Sequence, residues 1–185
     1  MNKFIVCISA FSLLFFAIGC SSAESTKQVS SGSFFDLKSF FNKELTRLEK
    51  INTVNKVIEL NGQREERNIS DLDFSKELIL FSSSDINRIA WKDKYKVDSI
   101  KNDNGQLSAL DYTALTDKMR TQSLYISFLN NEVDSIFINN KIIGLATQSQ
   151  QNLHYVPKQG YSIHSSQSAL VDKERSVFIQ VEYID

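Results

Sequence analysis

The sequence predicts an α+β fold: an N-terminal helix and a second helical segment packed on a strongly curved antiparallel β-meander. Three observations carry this. Phe34, Leu37, Phe41, Leu45 and Leu48 recur at three- and four-residue steps, the spacing of one helix face. From Tyr95 onward, short strand-like segments are joined by short connections bearing Asn and Gly turn signals. Residues 124–145 are apolar on both faces of their strands, so both faces need cover.

The elements follow in chain order. Ser33 is placed to cap the first helix, with Asp36 three residues on. Lys38, Asn42, Lys43, Arg47 and Glu49 form its wet face. Residues 53–60 (TVNKVIEL) read as a strand, Asn61-Gly62 as a hairpin turn and 63–69 (QREERNI) as a polar edge strand. Ser70, with Asp73 at its third position, opens a second helix over 72–81, and residues 85–92 form a short third helix that turns Ile86, Ile89, Ala90 and Trp91 inward. The meander comprises strands at 95–101, 107–115, 121–129, 132–138, 141–149, 152–156, 161–169 and 175–184. Asn104-Gly105, Asn130-Asn131 and Asn139-Asn140 mark tight turns.

Candidate chemistry is sparse. His154 and His164 flank the turn in HYVPKQGYSIH and invite a two-histidine metal site. A four-residue loop, Pro157 to Gly160, sets Val156 opposite Tyr161, which sends the two imidazoles to opposite faces. No metal site is therefore expected. The acid pairs Asp71/Asp73, Glu65/Glu66 and Asp98/Asp103 lack a matched proton partner. Asn102 to Gly105 lacks the alternating ligands of a calcium loop and suits a hairpin turn. There is no Gly-x-Ser-x-Gly elbow and no phosphate-binding glycine loop. No catalytic residue and no cofactor follow from the sequence.

Charge and ends say more. The chain of 185 residues has 21 basic and 22 acidic side chains, a net charge of −1. That balance offers no basic field to displace counterions from nucleic acid. Met1 to Lys3 is followed by 16 uncharged residues, FIVCISAFSLLFFAIG, which fits a secretory signal and is short for a spanning helix. The stretch LFFAIGCSS, Leu14 to Ser22, then ends in Gly19-Cys20 and serines.

Ala17-Ile18-Gly19-Cys20 resembles the lipobox of bacterial lipoproteins, with Ala17 where leucine is usual. The resemblance covers about the first 20 residues. It implies cleavage between Gly19 and Cys20 by signal peptidase II and lipidation of Cys20. Ser21, where an aspartate would favour the inner membrane, implies the outer membrane. The expected organisation is a signal peptide over 1–19, a lipidated N-terminus and flexible tether over 20–32, and a single α+β domain over 33–185. Cys7 leaves with the signal and Cys20 is acylated, so no thiol chemistry remains.

The expected partner is the lipid bilayer, through acylated Cys20, together with an envelope protein or an apolar ligand; nucleic acid is not expected. A helix against a curved meander resembles the lipoprotein-carrier and lipid-binding half-barrels of the bacterial periplasm. Three readings follow: a non-enzymatic envelope accessory or interaction module, a carrier of an apolar ligand such as lipid, and a hydrolase whose site is assembled from distant loops.

Overall fold

A computed structural model describes residues 34–169 and 175–184. The expected signal peptide over 1–19, the expected lipidation site Cys20 and the expected tether over 20–32 lie outside the described residues. Within them the fold is α+β and strongly sheet-dominated. Nine strands form one antiparallel sheet: β1 (Thr53–Leu60), β2 (Gln63–Ser70), β3 (Tyr95–Lys101), β4 (Leu107–Ala114), β5 (Thr121–Leu129), β6 (Glu132–Ile143), β7 (Thr147–Val156), β8 (Gly160–Ala169) and β9 (Arg175–Ile184). The order β2-β1-β9-β8-β7-β6-β5-β4-β3 is an unbroken meander from β3 to β9, extended by the β1–β2 hairpin. The sheet is open, with β2 and β3 at its edges.

One face carries the core. Leu110, Tyr112, Leu124, Ile126, Ile136, Ile138, Leu153, Tyr155, Tyr161, Ile163 and Val181 lie on it, each at most 5% exposed. Register explains the alignment: Leu110 opposes Ile126, Ile126 opposes Ile136, Ile136 opposes Tyr155, and Tyr155 opposes Tyr161. Opposed residues share a face, so one apolar row crosses five strands. Helix α1 (Leu37–Leu48) closes over it with Leu37, Phe41 and Leu48 fully buried. Phe40, Phe41, Phe81 and Tyr155 pack edge to face or tilted, with ring centroids 5.0 to 6.2 Å apart.

The helices start later than the sequence suggested. Asp36, not Ser33, caps α1: its carboxylate accepts from the Ser39 backbone N–H at 2.8 Å. Asp73, not Ser70, caps the second segment, and Ser70 ends β2. In both places a carboxylate stood three residues after a serine, and the charged acceptor is the better match for the helix N-terminus. The second segment is not one helix over 72–81. It is two single turns, α2 (Phe74–Glu77) and α3 (Ile79–Ser82), broken at Leu78, whose ψ is 5°.

The third helix over 85–92 shrinks to one 3₁₀ turn, Ile89–Trp91. Asp85 accepts from the Asn87 and Lys38 backbones, and Asn87 in turn bonds the Phe34 and Phe35 backbones. These bonds, all but one of them to the start of α1, tie the segment down outside a helix. Ile86 is buried as expected, but Ile89 is 89% exposed and Ala90 is exposed.

Two turns also move. Asn139-Asn140 is no turn: β6 runs on to Ile143, and the chain reverses at residues 144–146. Asn140 is buried, donating to the Ser84 hydroxyl at 2.9 Å, while Asn139 on the other face donates to Asn152 at 2.6 Å, so the two asparagines cross-link elements rather than make a bend. Between β7 and β8 the loop is Pro157 to Gln159, one residue shorter than predicted, with Val156 opposite Gly160. Gly160 has φ +146°, and a Cβ there would lie 1.9 Å from the Val181 carbonyl oxygen. Only glycine lets β8 begin at that point.

Candidate functional site

That one-residue difference decides where the histidines point. Tyr155 opposes Tyr161, so His154 opposes Ser162 and His164 opposes Asn152. Both imidazoles therefore lie on the same outer face, not on opposite ones. They still diverge. His154 stacks on Phe137 of β6 at 3.9 Å with ring planes 9° apart, whereas Nε2 of His164 meets the Ser176 hydroxyl of β9 at 3.2 Å. Among the described residues no group of three or more His, Cys, Asp or Glu side chains is placed to hold a metal.

Between the histidines lies the most developed surface of the outer face. Phe178, directly opposite His164, stands between two grooves. One, of about 550 Å³, is bordered by His154, Ser162, Gln180, Glu182 and Lys158. The other, of about 640 Å³, is bordered by Glu59, Asn61, His164 and Ser176. Strand alternation in β9 produces this: Ile179 and Val181 turn to the core, while Phe178, Gln180 and Glu182 turn out. Partial burial lowers the His154 pKa, so the ring is neutral near pH 7. Gln180 donates to Glu182 at 2.7 Å. The His154 and Ser162 side chains, though opposed, are not hydrogen-bonded to each other. The surface offers an aromatic ridge with amide, hydroxyl, imidazole and carboxylate groups, a set that suits recognition.

Beneath the helices, a second polar constellation fastens them to the sheet. Lys56 of β1 bonds Glu77 of α2 at 2.7 Å, and Glu77 accepts from the Tyr161 hydroxyl at 2.6 Å. In parallel, the Tyr155 hydroxyl donates to Glu44 at 2.5 Å, and Arg47 pairs with Glu44 at 2.8 Å and donates to the Pro157 carbonyl. The guanidinium also lies 5.7 Å from the Tyr183 ring centroid. Burial, followed by Tyr183 and Glu44 at Tyr155 and by Glu77 at Tyr161, pushes both hydroxyls far above their ordinary range. These groups are neutral donors to fixed charges and clamp the helices to the sheet.

The remaining acid pairs resolve into local roles. Asp73 is a helix cap held near pKa 2 by Ser75 and Lys76. Asp98 pairs with Lys96 at 2.6 Å. Glu66 bonds Arg64 and Asn55. Asn102 to Gly105 makes the expected turn, with Gly105 at φ +76°.

Sequence reasoning missed Phe178 and Gln180. The available signal was an aromatic residue on the polar face of an alternating strand. The Lys56–Glu77–Tyr161 chain had no signal, because its members come from three distant segments. No protein family, curated protein or solved structure matches the chain.

Proposed function

We propose that the chain is a lipid-anchored lipoprotein of the cell envelope, held to the outer membrane through acylated Cys20, and that its domain is a non-enzymatic accessory or interaction module. The observation that carries the anchor is the run from Leu14 to Ser22, an apolar stretch ending in Gly19-Cys20-Ser21. The module reading is supported by the division between the two faces of the sheet. Leu124, Ile126, Ile136 and Ile138 are spent on a packed core, while the outer face presents Phe178 between two grooves. The hydrolase reading has one serine and histidine in hydrogen-bond contact, Ser176 with His164 Nε2 at 3.2 Å, but that pair is exposed on the outer face, and His154 and Ser162 stand opposed but unbonded.

A second reading, a binder of an apolar ligand, is favoured by one observation. A groove of about 410 Å³ opens at the margin of the helices, bordered by Leu45, Leu48, Ile51, Leu72 and Phe74. A strongly curved sheet, as in the periplasmic half-barrels, would widen that margin.

Mass spectrometry tests the anchor. The mature chain should begin at Cys20 and carry acyl chains, and Cys20→Ala should abolish acylation and membrane retention. An unchanged membrane fraction in Cys20→Ala refutes it. A photo-reactive residue in place of Gln180 should give a discrete envelope adduct that is lost with Phe178→Ala. An adduct indifferent to Phe178 refutes the outer face as the contact.

A further inference from the structure

The N-terminal end of β3 and β5, with the C-terminal end of β4 and β6, is one continuous edge. The Leu115 backbone donates to Lys94 and the Lys141 backbone donates to Arg120, each at 2.8 Å. Five large apolar side chains are exposed along it: Ile89, Leu115, Ile142, Ile143 and Leu145. They include the two most exposed large apolar residues among the described residues, Leu145 at 106% and Ile89 at 89%. The β6–β7 hairpin carries three of them past the start of β5, because Thr121 opposes Asn140 and Ile142 and Ile143 pair only with β7. Isolated exposed apolar residues are ordinary, but five gathered at one end of the sheet mark a contact surface.

Two further observations identify the occupant. The first is charge. Arg88, Lys92, Lys94, Lys118, Arg120 and Lys141 lie on this edge, against Asp85, Asp93 and Asp117 among the described residues. Six minus three gives +3 here, in a chain whose net charge is −1. The second is where the chain outside the described residues ends. Phe34 enters the fold hydrogen-bonded in both directions to Asn87, at 3.1 and 3.2 Å, one residue before Arg88. Only 14 residue steps separate Phe34 from Cys20, a covalent reach of at most about 50 Å.

We infer that this end of the sheet is a second membrane contact, seated on an anionic lipid surface. The choice of occupant rests on the lipid-anchor reading. The apolar tip enters the interface while the collar of lysines and arginines meets the headgroups. An acyl anchor and a basic, apolar surface together are the two-signal arrangement that makes attachment durable. It is a contact and not a span: no described helix is long and apolar enough to cross a membrane.

The test uses the full chain with Cys7 and Cys20 both changed to Ser, so that a single introduced cysteine can carry an environment-sensitive fluorophore. Labels are placed at Leu145→Cys and Ile89→Cys, and at Leu129→Cys on the opposite end of the sheet as a control. Each is mixed with vesicles of phosphatidylcholine containing phosphatidylglycerol, and with phosphatidylcholine alone. The labels at 145 and 89 should shift to the blue and be reached by a bilayer-borne quencher, with the label at 129 unchanged. Lys118→Ala and Lys92→Ala should each weaken this response about fivefold, and added salt should weaken it further.

A response at 129 equal to that at 145 overturns the inference, as does silence at all three. A shift that needs no vesicles and grows with protein concentration assigns the end to a second copy and also overturns it. Because Cys20 is absent from every variant, failure here leaves the acylation result standing, and a chain that is never acylated leaves this readout intact.

Discussion

Gly160→Ala should be among the costliest single-methyl additions in this protein. The backbone at 160 has φ +146°, which an L side chain rarely adopts, at a cost of about 1–3 kcal/mol. The added Cβ would stand 1.9 Å from the Val181 carbonyl oxygen, where ordinary contact begins near 3.4 Å. The difference, 3.4 − 1.9, is a 1.5 Å retreat of β9 from β8. Backbone hydrogen bonds extend only to about 3.2 Å, so a retreat of that size severs those beside the turn, at about 1 kcal/mol each. The sum is about 3–5 kcal/mol, a large part of the about 5–15 kcal/mol that holds a domain together.

Thermal and urea denaturation of the full chain would read this as a drop of about 10–15 °C in Tm. Gly62→Ala is the matched control. Its φ is +85° but nothing lies within 4 Å of the new Cβ, so it carries backbone strain alone, about 1–2 kcal/mol. If Gly160→Ala proved no worse than Gly62→Ala, the close approach of β8 to β9 would be refuted. The three-residue β7–β8 loop and the shared face of His154 and His164 would fall with it.

Two other outcomes are expected. Lys56→Ala leaves the Glu77 carboxylate with Tyr161 but no cation. It should cost toward the low end of the about 3–5 kcal/mol typical of such losses, because the Glu77 side chain keeps 20% exposure. The triple variant Lys56→Met/Glu77→Leu/Tyr161→Phe, which also removes the hydroxyl that Glu77 accepts from, should recover most of that in denaturant titration; no recovery would mean the cluster has another role. The buried tyrosines set the alkaline limit. Tyr95 is pushed up to about 12 by burial, and Tyr112, Tyr155, Tyr161 and Tyr183 are also raised. A raised pKa means the folded state holds its proton longer than the unfolded chain, whose tyrosines ionise near pH 10. Their stabilisation is complete below about pH 10 and is lost as pH rises through the folded values, at up to about 1.4 kcal/mol per pH unit for each tyrosine. Ultraviolet titration of tyrosinate alongside denaturation would show unfolding and ionisation rising together. Ionisation of these five tyrosines near pH 10 without unfolding, read in a Tyr125→Phe background, would contradict the burial.

Periodicity was enough to read the apolar face of α1 and the strands near 95–101, 107–115, 121–129, 161–169 and 175–184, and turn chemistry marked the hairpin at Asn61-Gly62; the three strands expected at 132–138, 141–149 and 152–156 are two, because Asn139-Asn140 lies within β6 and β7 runs unbroken through 150 and 151. The two-sided apolarity of 124–145 was equally legible, but its meaning was not. Ile136 and Ile138 are buried while Phe137 between them is 45% exposed against His154. Spacing cannot say which face meets helices and which meets another strand's aromatic ring.

What the sequence determined by itself was local: the uncharged run before Gly19-Cys20, the charge balance, and the alternation that builds each strand. Tertiary structure decided whatever depended on how those strands meet. The outer-face site rests on the register between β7 and β8, and the residue that opens β8 must be glycine because of a different strand, whose Val181 carbonyl leaves no room for a Cβ. A sequence lists the glycine. It does not list the carbonyl oxygen that makes the glycine necessary.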